Sequence, residues 1–352
     1  MSRRKSMAVL AGAAAIAGTC RASDAGGRST RPAAAGILKP RRLPSGGTIA
    51  VPAPASPAFL RSEILRGQAV WMQAGYRVRV LDQVYETDGY LAGAPRDRAR
   101  ALQECFRDPG IDAIHVAGGG YGATQLIPSL DFDIIASHPK PFIGRSDITA
   151  LHLALARYCG LVTLYGPGLV SVASPNGSSF SETGLLRAAT DPSPLGLLPR
   201  HPSDPFLFTI TGGTASGPLR GGCLWPLCKT VGTDWAPQLD GAILFLEETD
   251  EPPWSIDAHL THLIQAGLLD RVAGIVIGRM VNCNWSASRP EYPSNLSLED
   301  VLLRRLGPLG VPCLYGIPVG HEHDTLTIPL GVRATLDATA QTLTFEESAF
   351  AG

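Results

Sequence analysis

Neither sign of charge is in surplus: the 352 residues carry 30 Lys and Arg against 31 Asp and Glu. That balance offers no footprint for nucleic acid or for an anionic membrane surface. No Cys-x-x-Cys pair occurs among the seven cysteines, at 20, 105, 159, 223, 228, 283 and 313, which argues against a zinc ribbon. Their spacings fit no disulfide scaffold, and a chain this long needs none, so buried free thiols are the expected state of most. The stretch Gly118-Gly119-Gly120-Tyr121-Gly122 lacks the Gly-Lys-Ser/Thr of a phosphate-binding P-loop. Its glycines are also wrongly spaced for a dinucleotide fingerprint, and they follow a third strand rather than a first. No cofactor is expected.

No acidic residue occurs before Asp24, and the N-terminal apolar run from Met7 to Ala17 is too short to span a bilayer as a stable helix. With Ser2-Arg3-Arg4-Lys5 before that run and small residues after it, residues 1–22 read as an export signal. The Arg pair points to the twin-arginine route, and so to the periplasm or cell envelope. The alternative is a disordered Ala-rich N-terminus on a cytoplasmic protein. Lipidation of Cys20 fits poorly, since Ala17-Gly18-Thr19 is a weak lipobox. Residues 23–43, rich in Gly, Arg and Ala, read as a linker.

The remainder has globular composition, 45% hydrophobic and 17% charged, and length enough for two domains. Short strands at 48–53, 76–81, 111–117 and 161–165 alternate with helices at 61–74, 96–106 and after Ser146. Alternation of that kind means right-handed βαβ units and a mainly parallel sheet. From about Ser171 to Pro205 the pattern dissolves into Ser, Pro and Gly. Beyond it short strands dominate, with helices at 256–269 and 298–306, and the strands at 325–328, 332–336 and 342–345 alternate in the antiparallel manner. The expected architecture is α/β: an N-terminal domain (44–170), an interdomain connection (171–210) and a β-rich C-terminal domain (211–352).

Three stretches carry residues suited to chemistry. Phe142-Ile143-Gly144-Arg145-Ser146-Asp147 reads as a buried strand turning sharply into a helix, with Ser146 at the corner. A serine there has its hydroxyl clear of the sheet, and the next amide lies at a helix N-terminus, suited to a developing oxyanion. The same pattern also serves as a plain helix N-cap. Glu247-Glu248 ends the apolar run 243–246. A carboxylate at the end of a buried strand costs desolvation energy unless it has a partner or a job. Glu248, Asp250 and Glu251 are expected in solvent. His321, His323 and Asp324, with His259 and His262, are metal-ligand types, but no full ligand set falls on one element, so no metal is expected. His115 and His152 lie in apolar periodic contexts and are expected as packed core residues. If Ser146, Glu247 and His321 meet, they form a serine hydrolase triad.

The motifs occur in a telling order. They are Gly119-Gly120-Tyr121-Gly122, Leu130-Asp131-Phe132-Asp133, Phe142 to Leu151, Tyr165-Gly166-Pro167-Gly168, Gly221-Gly222-Cys223-Leu224, Gly232-Thr233-Asp234-Trp235, Ile243 to Glu248, and Gly316 to His321. From about Gly47 to Glu347 the chain resembles the LD-carboxypeptidases, serine peptidases that include the microcin C immunity proteins. The resemblance implies a flavodoxin-like domain with a nucleophile elbow, joined to a β-rich domain that brings Glu and His, commonly in a homodimer. It implies Ser146 as nucleophile, Glu247 and His321 as its partners, and the backbone amides of Gly120 and Asp147 as oxyanion donors. Substrate contacts are expected around Gly119, Tyr121, Arg145 and Cys223. The implied reaction removes the terminal D-amino acid from a peptidoglycan tetrapeptide, so the implied partner is a muropeptide.

Three positions depart from the family pattern. Gly118 stands where Arg is usual, Arg145 where Tyr, His or Phe is usual, and Cys223 where Asn is usual. Arg145 is expected to take over from the missing loop Arg in holding the substrate's carboxylate. The connection from Ser171 to Pro205 has no Trp or Tyr to stack on a nucleobase, which disfavours a microcin-type nucleotide substrate. A non-catalytic cell-wall peptide-binding protein is the remaining alternative.

Overall fold

Five short strands, β1 (Thr48–Val51), β2 (Arg77–Val80), β3 (Ala113–His115), β4 (Phe142–Gly144) and β5 (Thr163–Tyr165), pair in parallel in the order β5-β4-β3-β1-β2. Successive side chains on a strand point to opposite faces, and here the two faces feed two cores. Ile49, Val51, Ala113 and Ile143 join one cluster with Ile64 and Trp71 of α1 (Arg61–Gln73). Ala50, Ile114 and Phe142 join another with α2 (Pro95–Arg107), α3 (Phe132–Ser137) and α4 (Thr149–Cys159). A sheet covered on both faces buries every strand position, as in β3 and β4, and the one polar side chain there, His115, is hydrogen-bonded.

The structure, a computed structural model, describes residues 36–172, 179–201, 203–285 and 296–352. The expected export signal and Cys20 lie outside them. Of the expected linker, Leu38 bridges to Leu161 and Leu43 is fully buried, so the chain is already packed before residue 44.

The stretch expected as an interdomain connection begins with α5 (Leu169–Val172) and contains α6 (Ser179–Thr190) and β6 (Gly196–Leu197). Ser181, Leu185, Ala188 and Ala189 form the buried stripe of α6, a helical spacing obscured by the Gly, Ser and Pro around it.

The second sheet is mixed. β8 (Thr214–Cys223), β9 (Ile243–Thr249), β10 (Gly274–Val281) and β11 (Cys313–Gly320) run parallel, while β7 (Phe208–Thr211), β13 (Arg333–Asp337), β14 (Thr342–Phe345) and β6 add in antiparallel fashion at its flanks. Helices α7 (Leu224–Cys228), α8 (Pro253–Gln265) and α9 (Leu298–Leu306) pack on Leu244, Leu246, Ile275 and Ile277. The opposite face, with Ile243, Phe245, Val276 and Leu314, belongs to the cluster that already holds Ile49 and Trp71, so one core serves both sheets.

The strand expected at 325–328 begins three residues later, as β12 (Ile328–Leu330), and it does not join the second sheet. It pairs antiparallel with β5 and forms an edge of the first sheet. The described residues belong to one compact unit.

Candidate active site

The chain leaves β4 at Gly144, passes through extended Arg145, and reverses at Ser146, whose φ of 65° lies in the left-handed region. A non-glycine residue there costs on the order of 1–3 kcal/mol and persists only where its surroundings impose it. Several bonds do so. His152 of α4 donates from Nε2 to Gly144 O (2.9 Å) and accepts at Nδ1 from the Thr163 hydroxyl (2.8 Å). Burial pushes that imidazole down to about 4, so it is neutral, as this donor–acceptor pattern requires. Ser146 N donates to Tyr165 Oη (3.2 Å), and the Asp147 carboxylate accepts from Ala123 N (2.7 Å), tying the corner to the glycine loop. Burial raises the Asp147 carboxyl to about 6.

Glu247, on β9, is fully buried. Its Oε2 accepts from His321 Nδ1 (2.7 Å), and its Oε1 accepts from Tyr165 Oη (2.5 Å). Burial alone would push this carboxyl up; His321, Tyr165 and Arg145 hold it below its ordinary value. His321 follows the last residue of β11, Gly320, whose φ is 147°. A β-carbon there would come within 2.7 Å of Arg279 O and 3.0 Å of Glu247 Oε2, so only glycine brings the ring onto the carboxylate. With Nδ1–H committed to Glu247, Nε2 is the ring nitrogen free to accept a proton.

Glu247 and His321 meet directly, while Ser146 is linked to that pair through its backbone amide and Tyr165. A chain of hydrogen bonds runs from Ser146 N through Tyr165 and Glu247 to His321. Arg145, one residue before Ser146, donates from Nη1 to Gly320 O, one residue before His321. Among the described residues no hydrogen bond joins Ser146 Oγ to His321; such bonds commonly close only with substrate in place.

The glycine loop lies against the corner. A β-carbon on Gly119 would meet Ser146 Cβ at 2.8 Å and its Oγ at 3.3 Å. Ser56 holds the loop from outside: its N–H donates to Gly119 O, and its Oγ accepts from Tyr121 N (both 3.2 Å). Between those bonded groups, Gly120 N–H makes no hydrogen bond among the described residues. The φ of Gly120 is 107°, and a β-carbon there would overlap Ser56 Oγ at 2.2 Å. Fully buried Arg98 fixes the far side through Pro54 O (2.7 Å), Gly122 O (2.9 Å) and Gln125 Oε1 (2.7 Å).

One expectation needs correcting. Glu248 is 3% exposed rather than solvated. It accepts from Trp225 N (2.7 Å) and Thr249 N (2.8 Å), and burial pushes its carboxyl up to about 7. Cys223, expected to touch substrate, has both its donors engaged within the fold: its N–H donates to Thr149 Oγ1 (3.0 Å) and its thiol to Glu248 Oε1 (3.3 Å). Arg98, His152 and Glu248 were given no part in the site by their sequence context, and Tyr165 entered only within a motif. Its one legible signal is a hydroxyl-bearing ring ending an apolar strand.

His115 and the described cysteines lie buried, as their apolar contexts suggest. His115 is fully buried, accepting from Trp71 Nε1 (3.0 Å) and donating to Pro167 O (2.8 Å). Cys105, Cys159, Cys223, Cys228, Cys283 and Cys313 are free and buried. No group of three or more His, Cys, Asp or Glu is placed to hold a metal ion among the described residues. No helix among them is long and apolar enough to cross a membrane.

Residues 49–166 match the LD-carboxypeptidase N-terminal domain, and residues 216–336 match the LD-carboxypeptidase C-terminal domain. The Bacillus subtilis protein named "Probable murein peptide carboxypeptidase" is 33% identical over 314 residues, covering 88% of this chain and 94% of that one. Among solved structures, the microcin C7 immunity protein MccF in complex with glutamyl sulfamoyl guanosine superposes with a TM-score of 0.81 at 25% identity, covering 89% of this chain and all of that one. The muramoyltetrapeptide carboxypeptidase of Oxalobacter formigenes superposes with a TM-score of 0.73 at 27% identity, covering 86% and 99%.

Proposed function

This chain belongs to the LD-carboxypeptidase family of serine peptidases, and from that premise we propose that it cleaves the amide between an L-centre and the terminal D-alanine of peptidoglycan tetrapeptides. The observation that carries the reading is the His321–Glu247–Tyr165–Ser146 chain, which joins the corner of one sheet to a buried acid–imidazole pair of the other. The relatives named for murein peptides and muramoyltetrapeptides support the choice of substrate.

On this reading His321 Nε2 takes the proton of Ser146 Oγ as the oxygen attacks the scissile carbonyl. Glu247 holds the ring in the required tautomer and stabilises it once charged. The amides of Gly120 and Asp147 receive the oxyanion, and the free Gly120 N–H supports that role. His321 then protonates the departing amine of D-alanine. Water, deprotonated by the same imidazole, hydrolyses the acyl-enzyme and restores Ser146.

Residues 1–22 export the protein to the envelope where such peptides arise, and the enzyme acts as a homodimer. Deleting 1–22 then retains it in the cytoplasm, and light scattering gives twice the chain mass. Incubation with a defined tetrapeptide and mass detection of the products tests the reaction: D-alanine is released by the wild type, and Ser146→Ala loses several orders of magnitude in turnover with its fold intact. Binding without release would make the protein a peptide binder. Because MccF superposes closely, an aminoacyl sulfamoyl nucleotide belongs in the same assay, and its cleavage in place of the tetrapeptide would move the substrate class.

A further inference from the structure

Beside the corner lies an open pocket of about 520 Å³ that the reaction scheme leaves unused. Tyr90, Tyr121, Trp225 and Lys229 line it, and it reaches Gly122 and Asp147, the residue after Ser146. Tyr121 stands between the other two rings, edge to face with each, at 6.2 Å from Tyr90 and 6.2 Å from Trp225. The three rings come from separate segments: the turn after β2, the glycine loop, and the first turn of α7. Trp225 is anchored through its amide on Glu248. Tyr90 and Tyr121 are 61% and 59% exposed, a large apolar surface left open to water. Lys229 Nζ lies 4.9 Å from the Trp225 ring centroid, and it has no carboxylate partner among the described residues.

We propose that this pocket is the acyl-side subsite, which takes a peptide acyl group carrying an aliphatic side chain and a free carboxylate; the assignment rests on the carboxypeptidase reading above. A carboxypeptidase releases a single residue, so its leaving-group side needs room for one amino acid, here alanine. The rest of the peptide stays on the other side of the scissile bond. An opening of about 520 Å³ joined to the corner is far larger than alanine needs, and it is of the size that takes drug-sized ligands. Rigid aromatic rings bind aliphatic chain at little entropic cost. The Lys229 ammonium, now resting on Trp225, moves to a carboxylate laid along the rings, exchanging a cation–π contact for a charge-assisted hydrogen bond.

The test uses the full-length Ser146→Ala protein and the tripeptide acyl portion of the stem, without its terminal D-alanine. Binding is followed by tryptophan fluorescence and by calorimetry. Lys229→Met is expected to weaken that tripeptide roughly three- to tenfold, while leaving unchanged the weaker binding of a tripeptide whose free carboxylates are amidated. Trp225→Ala is expected to weaken both forms on the order of tenfold. Trp225→Phe keeps binding by calorimetry and loses most of the fluorescence response, which localises the signal. Equal affinities in the Lys229→Met and parent proteins would overturn the proposal, as would an equal loss for the amidated peptide. Adenosine monophosphate competing with the tripeptide at lower concentration would assign the rings to a nucleobase instead, and would also overturn it. D-alanine release from the tetrapeptide is measured in parallel with Ser146 intact. Release that is insensitive to Lys229 and Trp225 sinks the pocket and spares the reaction, whereas binding that obeys the predictions without release sinks the reaction and spares the pocket.

Discussion

Arg145 is the residue whose role the structure sharpens most. As sequence it suits a substrate carboxylate; in the fold one of its donors is on Gly320 O, which ties the residue before Ser146 to the residue before His321. If that tether is its main work, Arg145→Met lowers kcat roughly tenfold to a hundredfold with KM within about threefold, because the imidazole loses its register against the hydroxyl. A large rise in KM at constant kcat would return Arg145 to substrate binding. Glu248 makes a second prediction. Folding raises its carboxyl from the ordinary value to about 7, so the native state holds the proton more tightly than the unfolded chain. Its contribution to stability is complete below the ordinary carboxylate pKa and is lost as pH rises to about 7. Urea denaturation at pH 5 and pH 8 therefore shows a smaller pH difference for Glu248→Gln than for wild type; equal differences would refute the assignment. Ser146, Glu247 and His321 were legible as candidates because each breaks a local pattern: a polar corner, an acid ending an apolar strand, a histidine after a glycine. The expectation of a solvated Glu248 follows from period-two alternation, which turns it away from Glu247, towards solvent in a simple sheet. Here the turn into α7 covers that face and supplies its amide donors.

Among the elements, the glycine loop sets the shape of the site. Gly119 must approach Ser146 without a side chain, and Gly120 needs both its φ of 107° and the space beside Ser56. Gly119→Ala places a β-carbon 2.8 Å from Ser146 Cβ. It is expected to cost about 1–3 kcal/mol of stability and on the order of a hundredfold in kcat, read by thermal melts and by the D-alanine assay. Unchanged kcat would show that the loop does not bear on the hydroxyl. The elements themselves were legible where pattern and length agreed, as at α9, whose bounds of Leu298 and Leu306 match the apolar spacing. They were not legible where an element depends on a distant partner. β12 is three residues long and takes its place by pairing with β5 and packing into the shared core, and α6 hides its stripe among Ser and Gly.

At the scale of the whole molecule, the first sheet takes β12 from the chain's last quarter, and one hydrophobic cluster is shared by both sheets. A chain built this way cannot shed one half and leave the other intact. Urea unfolding is expected to be a single transition by both tryptophan fluorescence and circular dichroism, and two well-separated transitions would contradict the shared core. The same sharing makes the site possible, since Ser146 hangs from one sheet while Glu247 and His321 hang from the other. The measurement that bears most directly on that convergence is labelling by a fluorophosphonate, which reacts with a serine hydroxyl only when a neighbouring base activates it. Peptide mapping of the labelled wild-type protein should find one adduct, on Ser146, and His321→Ala should abolish it. No adduct on Ser146, or equal labelling with His321 removed, would contradict the account.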